Sequence, residues 1–87
     1  MRVYADFNNL DDDNRLRLTC MGTIQDLDRL GVQLREGLCL TFCMDDADEQ
    51  GNRDDLLVDG IVEKGEDCFV GKVDWDTVKH ESEVNFV

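Results

Sequence analysis

The chain alternates between apolar and polar residues in short bursts. Across Arg2–Phe7, Val3, Ala5 and Phe7 fall on one side and Arg2, Tyr4 and Asp6 on the other, the period of a half-buried strand. Arg15–Cys20 repeats the pattern, with Leu16, Leu18 and Cys20 inward and Arg15, Arg17 and Thr19 outward. Between them, Asn8, Asn9, Asp11–Asp13 and Asn14 predict a loop, because short polar side chains bond their own backbone and compete with regular structure. Leu38–Met44 is apolar nearly throughout: Leu38, Leu40, Phe42 and Met44 face one way, Cys39, Thr41 and Cys43 the other. A central strand covered on both faces is predicted there. Leu56–Glu63 and Cys68–Trp75 pair as a hairpin about the turn Lys64-Gly65-Glu66-Asp67, with Gly60 marking a bend. Asp74 is placed to cap a helical turn over Trp75–Lys79, and His80–Val87 is a tail whose residues 82–87 are free to fray.

Residues 22–37 admit two readings. Thr23 and Asp26 form a capping-box-like pair, and Ile24, Leu27 and Leu30 followed by Gly31 suit a two-turn helix closed by glycine. The alternative carries the second strand on through Gly22–Leu27, with Gly22 at a bulge, and this strand reading is preferred. With no linker, repeat or second hydrophobic pattern, residues 1–87 are read as a single all-β domain. Its expected form is a small, five-stranded, partly open barrel with one short helical turn near the C-terminus.

The run Leu34-Arg35-Glu36-Gly37-Leu38-Cys39-Leu40, an acidic turn and glycine leading into a strand, is followed by a hairpin and a helical turn. That layout resembles the SH3-like barrel over most of residues 15–79. The resemblance implies recognition of peptides, nucleic acids or other subunits, or a part in stabilising a larger assembly. One Tyr, one Trp and four Phe leave little for the aromatic groove of a proline-peptide binder once a core is filled.

Charge narrows these classes. Nine Lys and Arg stand against 21 Asp and Glu, a net charge of -12, which repels phosphate backbones and anionic membrane surfaces. The 41% apolar content argues for a folded chain rather than a disordered one. No apolar run approaches the ~20 residues of a membrane span, and the start Met1-Arg2-Val3-Tyr4-Ala5-Asp6 lacks the plan of an export signal. The expected address is cytoplasmic, with Cys20, Cys39, Cys43 and Cys68 as reduced core thiols. Cys39 and Cys43, four apart on a strand, are separated by ~13 Å, too far for one zinc ion.

Six acids crowd into residues 45–55. Asp46, Asp48, Gly51 and Asp54 carry the spacing of a calcium loop, in which alternate oxygens hold a hard cation. Gln50, Arg53 and Leu57 depart from that pattern, and strands flank it where helices are required. The same loop, through Asp45, Glu49 and Asp55, and the large aromatic Trp75 are candidate contacts for a basic surface. Trp75 is otherwise expected to seal one end of the barrel. Were Trp75–His80 helical, Asp76 and His80 would meet at i and i+4. No phosphate loop, Ser-His-Asp pattern or cofactor signature is present, and a barrel this small fills its interior with side chains, so no enzymatic role is expected. The expected function is an acidic interaction module for a basic protein surface. A calcium site in loop 45–55 is one alternative. A structural homodimer, built through edge strands or the tail residues Val84, Phe86 and Val87, is the other.

Overall fold

The computed structural model describes residues 2–84, with the backbone alone at Val84. Its strands are β1 (Arg2–Tyr4), β2 (Leu16–Arg17), β3 (Cys39–Met44), β4 (Leu56–Lys64), β5 (Phe69–Val73) and β6 (Lys79–His80). The helices are α1 (Met21–Leu30) and the single turn α2 (Glu81–Val84), with a 3-10 turn at Trp75–Thr77. Five strands run in the order β1-β3-β4-β5-β2, and β6 pairs with the start of β4. The sheet is mixed: β1 lies parallel to β3, with Val3 beside Phe42, whereas the other pairs are antiparallel. It curls into a half-barrel, so the partly open, mostly β architecture holds.

The concave face carries the core. Val3, Ala5, Leu16, Leu18, Leu40, Phe42, Val58 and Val62 are buried together, as the alternation predicts for the first three expected strands. The curl has a local cause. A Cβ on Gly71 would stand 2.7 Å from the Phe42 ring, and one on Gly60 would stand 2.9 Å from it. Two neighbouring strands thus lack side chains where the largest fully buried side chain lies across them.

Three expectations are corrected. Residues 22–27 do not extend β2 but belong to α1. Thr23, Leu27 and Leu30 stand at i, i+4 and i+7, so one helix face meets the core, and Gly31 closes the helix with φ 68. Periodicity over six residues cannot separate a bent strand from this stripe; packing of the helix against β1 decides it. Next, β3 is covered on one face only, with Cys39 exposed and Thr41 and Cys43 half-buried. Thiols and Met made the segment look apolar on both sides, while a single-layer sheet leaves its outer face open. Finally, the turn after β5 is shorter than expected. Asp74 does cap it, accepting from Asp76 N at 3.0 Å, but Val78 is extended (φ -61, ψ 132), which ends the turn and sends His80 into β6.

Both outer edges of the sheet are occupied. Thr23 Oγ1 donates to Tyr4 O at 2.6 Å, and Tyr4 N donates to Asp26 Oδ2 at 2.8 Å, so α1 takes up the outward backbone groups of Tyr4 at the end of β1. On β2, Arg17 N donates to Asn9 O and Asp11 N donates to Arg15 O, both at 2.9 Å. The edge-strand route to a homodimer would have to displace these contacts. Phe86 and Val87 of the expected tail interface lie outside the described residues. Among the described residues, no helix is long and apolar enough to cross a membrane.

Candidate functional site

The acidic loops are built by their own side chains. Asp11 Oδ1 accepts from Asp13 N (3.0 Å) and Arg15 N (2.8 Å), which folds the 11–14 turn and places Asn14 at φ 60. Arg15 then reaches Asp11 (2.8 Å), Asp13 (3.5 Å) and Glu63 (3.3 Å), pinning this turn beside β4. At the adjoining turn between β4 and β5, Gly65 N donates to Cys68 O at 2.8 Å and turns Glu66 and Asp67 outward, both exposed. Folding sets the two turns side by side. Asp11, Asp12 and Asp13 line one wall and Glu66 and Asp67 the other of a cavity of about 230 Å³. Arg15 and Arg17 sit on its β2 side, with Val70 and Leu10 adding apolar surface. Five carboxylates thus stand against two guanidinium groups; Arg15 is paired with Asp11 and Asp13, which leaves Asp12, Glu66 and Asp67 against Arg17.

Loop 45–55 is a narrow hairpin rather than an open cup. Ala47 bridges Arg53, and Asp48 Oδ1 accepts from Gln50 N and Asn52 N, each at 2.9 Å, closing the tip. These bonds, that of Asn52 first, hold the Asp48 carboxyl below its ordinary pKa. Asp46 Oδ2 lies 3.0 Å from His80 Nε2, and Asp54 accepts from Ser82 N and Oγ at 2.9 and 2.8 Å. The three residues proposed for calcium therefore face three different partners. Among the described residues, no group of three or more His, Cys, Asp or Glu side chains is placed to hold a metal ion.

Of the proposed contact residues, Asp45 and Asp55 share Arg53 (3.2 and 2.9 Å), and Glu49 is exposed near the tip. The Arg53 hydrogen bond holds Asp55 below its ordinary pKa. Trp75 is only half-buried. Its ring meets Phe7 edge-on at 5.6 Å, and Nε1 donates to Asn14 O at 2.8 Å, so it braces the 11–14 turn. The Asp76–His80 pair does not form; His80 faces Asp46 and Glu83 instead.

The four thiols are free. Cys20 Sγ lies 3.0 Å from Thr23 Oγ1. Burial, followed by the Asp26 and Asp55 charges, pushes the Cys43 thiol up in pKa, the wrong direction for a nucleophile.

The pairing of residues 11–13 with residues 66–67 is what the sequence reading missed. Both were recognised as acidic turns, but only the β5–β2 pairing, with Arg17 beside Val70, brings them together. Compared with protein-family models, with curated proteins and with solved structures, the chain matches none.

Proposed function

We propose that this protein is a non-enzymatic acidic interaction module. It takes a basic side chain of a partner protein between the Asp11–Asp13 turn and the Glu66–Asp67 turn. The carrying observation is the cavity of about 230 Å³ between them, lined by five carboxylates together with Arg15 and Arg17, with Leu10 and Val70 offering some apolar contact to the stem of a lysine or arginine. The overall charge of -12 supplies a long-range field toward a basic surface, to which the exposed Asp45 and Glu49 contribute. That balance already counts all nine Lys and Arg, of which Arg2, Arg15, Arg29 and Arg53 are held in internal ion pairs.

The half-barrel is read as SH3-like. Support comes from the antiparallel β3-β4-β5 meander followed by a 3-10 turn. The parallel β1–β3 pair and the helix between β2 and β3 lie outside the layout on which that likeness rests.

Titration of the whole chain with an oligolysine peptide, followed by amide shifts, tests the docking site. The largest shifts are expected at residues 11–13 and 66–68. Affinity is expected to fall several-fold between low salt and 0.15 M, where the screening length is ~8 Å. An Asp12→Asn, Asp13→Asn, Glu66→Gln, Asp67→Asn variant should lose most of the binding. Shifts confined to loop 45–55, or equal binding by that variant, would exclude the site.

A further inference from the structure

The end of the described chain returns to the neck of loop 45–55 and is fastened there at three points. Glu81 N donates to Asp55 O at 2.7 Å, and Ser82 donates twice to the Asp54 carboxylate, at 2.9 and 2.8 Å. The third point is His80, whose Nε2 lies 3.0 Å from Asp46 and whose Nδ1 lies 3.5 Å from Glu83. A carboxylate from the loop and one from α2 therefore face opposite nitrogens of one ring. A neutral imidazole has one N–H and can donate to only one of them; the imidazolium donates to both.

We propose that His80 is the pin of a proton-operated clasp: when protonated it bridges Asp46 and Glu83 and tightens α2 against the neck of loop 45–55, and on losing its proton it keeps only one of the two carboxylates and loosens α2, which the Glu81 and Ser82 bonds still hold. The surroundings support this. Loop 45–55 presents Asp46 and Asp54 to the ring, with Arg53 engaged by Asp45 and Asp55. From α2 come Glu83, and Glu81 held by Arg2 of β1. β4 places the uncharged Leu56 opposite His80, and the neighbouring Lys79 is an exposed cation of β6. The Asp46 hydrogen bond, opposed by desolvation and then aided by Glu83, holds the ring above its ordinary pKa of 6.5.

A folded pKa raised in this way gives a contribution that is complete below about 6.5 and lost as pH rises through the higher folded value. The clasp is therefore tight in mild acid and loosens as pH rises through that folded value. Loss of the proton removes a positive charge from a strongly acidic surface and frees one of the two carboxylates. The device works without a partner, and its test needs none.

The test follows the His80 ring signals and the exchange of the Glu81 and Ser82 amides in the intact chain from pH 5 to 9, corrected for intrinsic base catalysis. The ring is expected to titrate above 6.5, with amide protection falling about two- to fivefold across that same titration, the range of an exposed ion pair. Asp46→Asn should lower the ring pKa. In His80→Gln the protection should become independent of pH. A ring that titrates at or below 6.5, protection flat through the wild-type titration, or an unchanged pH response in His80→Gln would each overturn the proposal.

Discussion

The Thr23 hydroxyl donates to the Tyr4 carbonyl at 2.6 Å from a position with no exposed surface. Tyr4 offers its N–H and C=O on the edge of β1 that faces away from β3, and α1 meets both, the N–H through Asp26. The approach is close enough that a Cβ on Gly22 would stand 2.5 Å from the Tyr4 ring, so the helix carries glycine there. Replacing Thr23 by Val keeps the shape and leaves the Tyr4 carbonyl without its donor. A loss of ~1 to 3 kcal/mol is expected in urea unfolding, while Thr23→Ser, which keeps the hydroxyl, should lose less.

The Phe42 ring and the two glycines beneath it make a second pair of expectations. Gly71→Ala places its new methyl against the ring alone and should cost ~1 to 3 kcal/mol. Phe42→Leu in that background should restore part of the loss, a non-additive result that a double-mutant cycle reads directly. Gly60→Ala also meets Val73 Cγ1 at 2.6 Å and the Lys72 carbonyl at 2.8 Å. The same second change should therefore rescue it less.

Trp75 acts as a brace. Trp75→Phe retains the contact with Phe7 but loses the indole donor to Asn14, with an expected cost of ~0.5 to 1.5 kcal/mol. Trp75→Ala should cost less than the ~3 to 5 kcal/mol of a fully buried tryptophan, because the ring is half-exposed. Asn14 holds φ 60, so Asn14→Gly should be tolerated and Asn14→Ala should cost ~1 kcal/mol. Chemical denaturation followed by tryptophan fluorescence separates these variants, with circular dichroism for those that lack the indole.

Acid should loosen the 45–55 hairpin. Asp48 is held down by the backbone N–H of Asn52, Asp55 by Arg53, and Asp46 by the backbone N–H of Ala47 and then His80. Depressed folded values give stability that is present above the ordinary 3.8 and lost as pH falls through the lower folded ones. With His80 acting in the opposite sense, the optimum is expected between about pH 4 and 6.5. A urea midpoint that stays flat from pH 4 to 2, with loop amides equally protected throughout, would contradict this.

Alternation of side chains determined where the strands lie and which way their side chains face, although β1 keeps only Arg2–Tyr4 and β2 only Leu16–Arg17 of the stretches expected. Val3, Ala5, Leu16, Leu18, Leu40 and Phe42 are buried where a period of two places them, because that period is local geometry. The acidic turns were equally plain, since Asp side chains fold them through bonds from backbone N–H groups two to four residues on. Tertiary structure decided whatever depended on residues distant in the chain. Thr23 and Asp26 read as a capping pair, yet they serve the edge of a strand some 20 residues earlier, and that contact selects the helix. His80 looked toward Asp76 by spacing, but extended backbone at Val78 turned it to Asp46, 34 residues back. The cavity between residues 11–13 and 66–67 exists only because β2 pairs with β5. Local pattern carries no information about such pairings, since they are set by which buried faces pack together once the sheet has curled around Phe42.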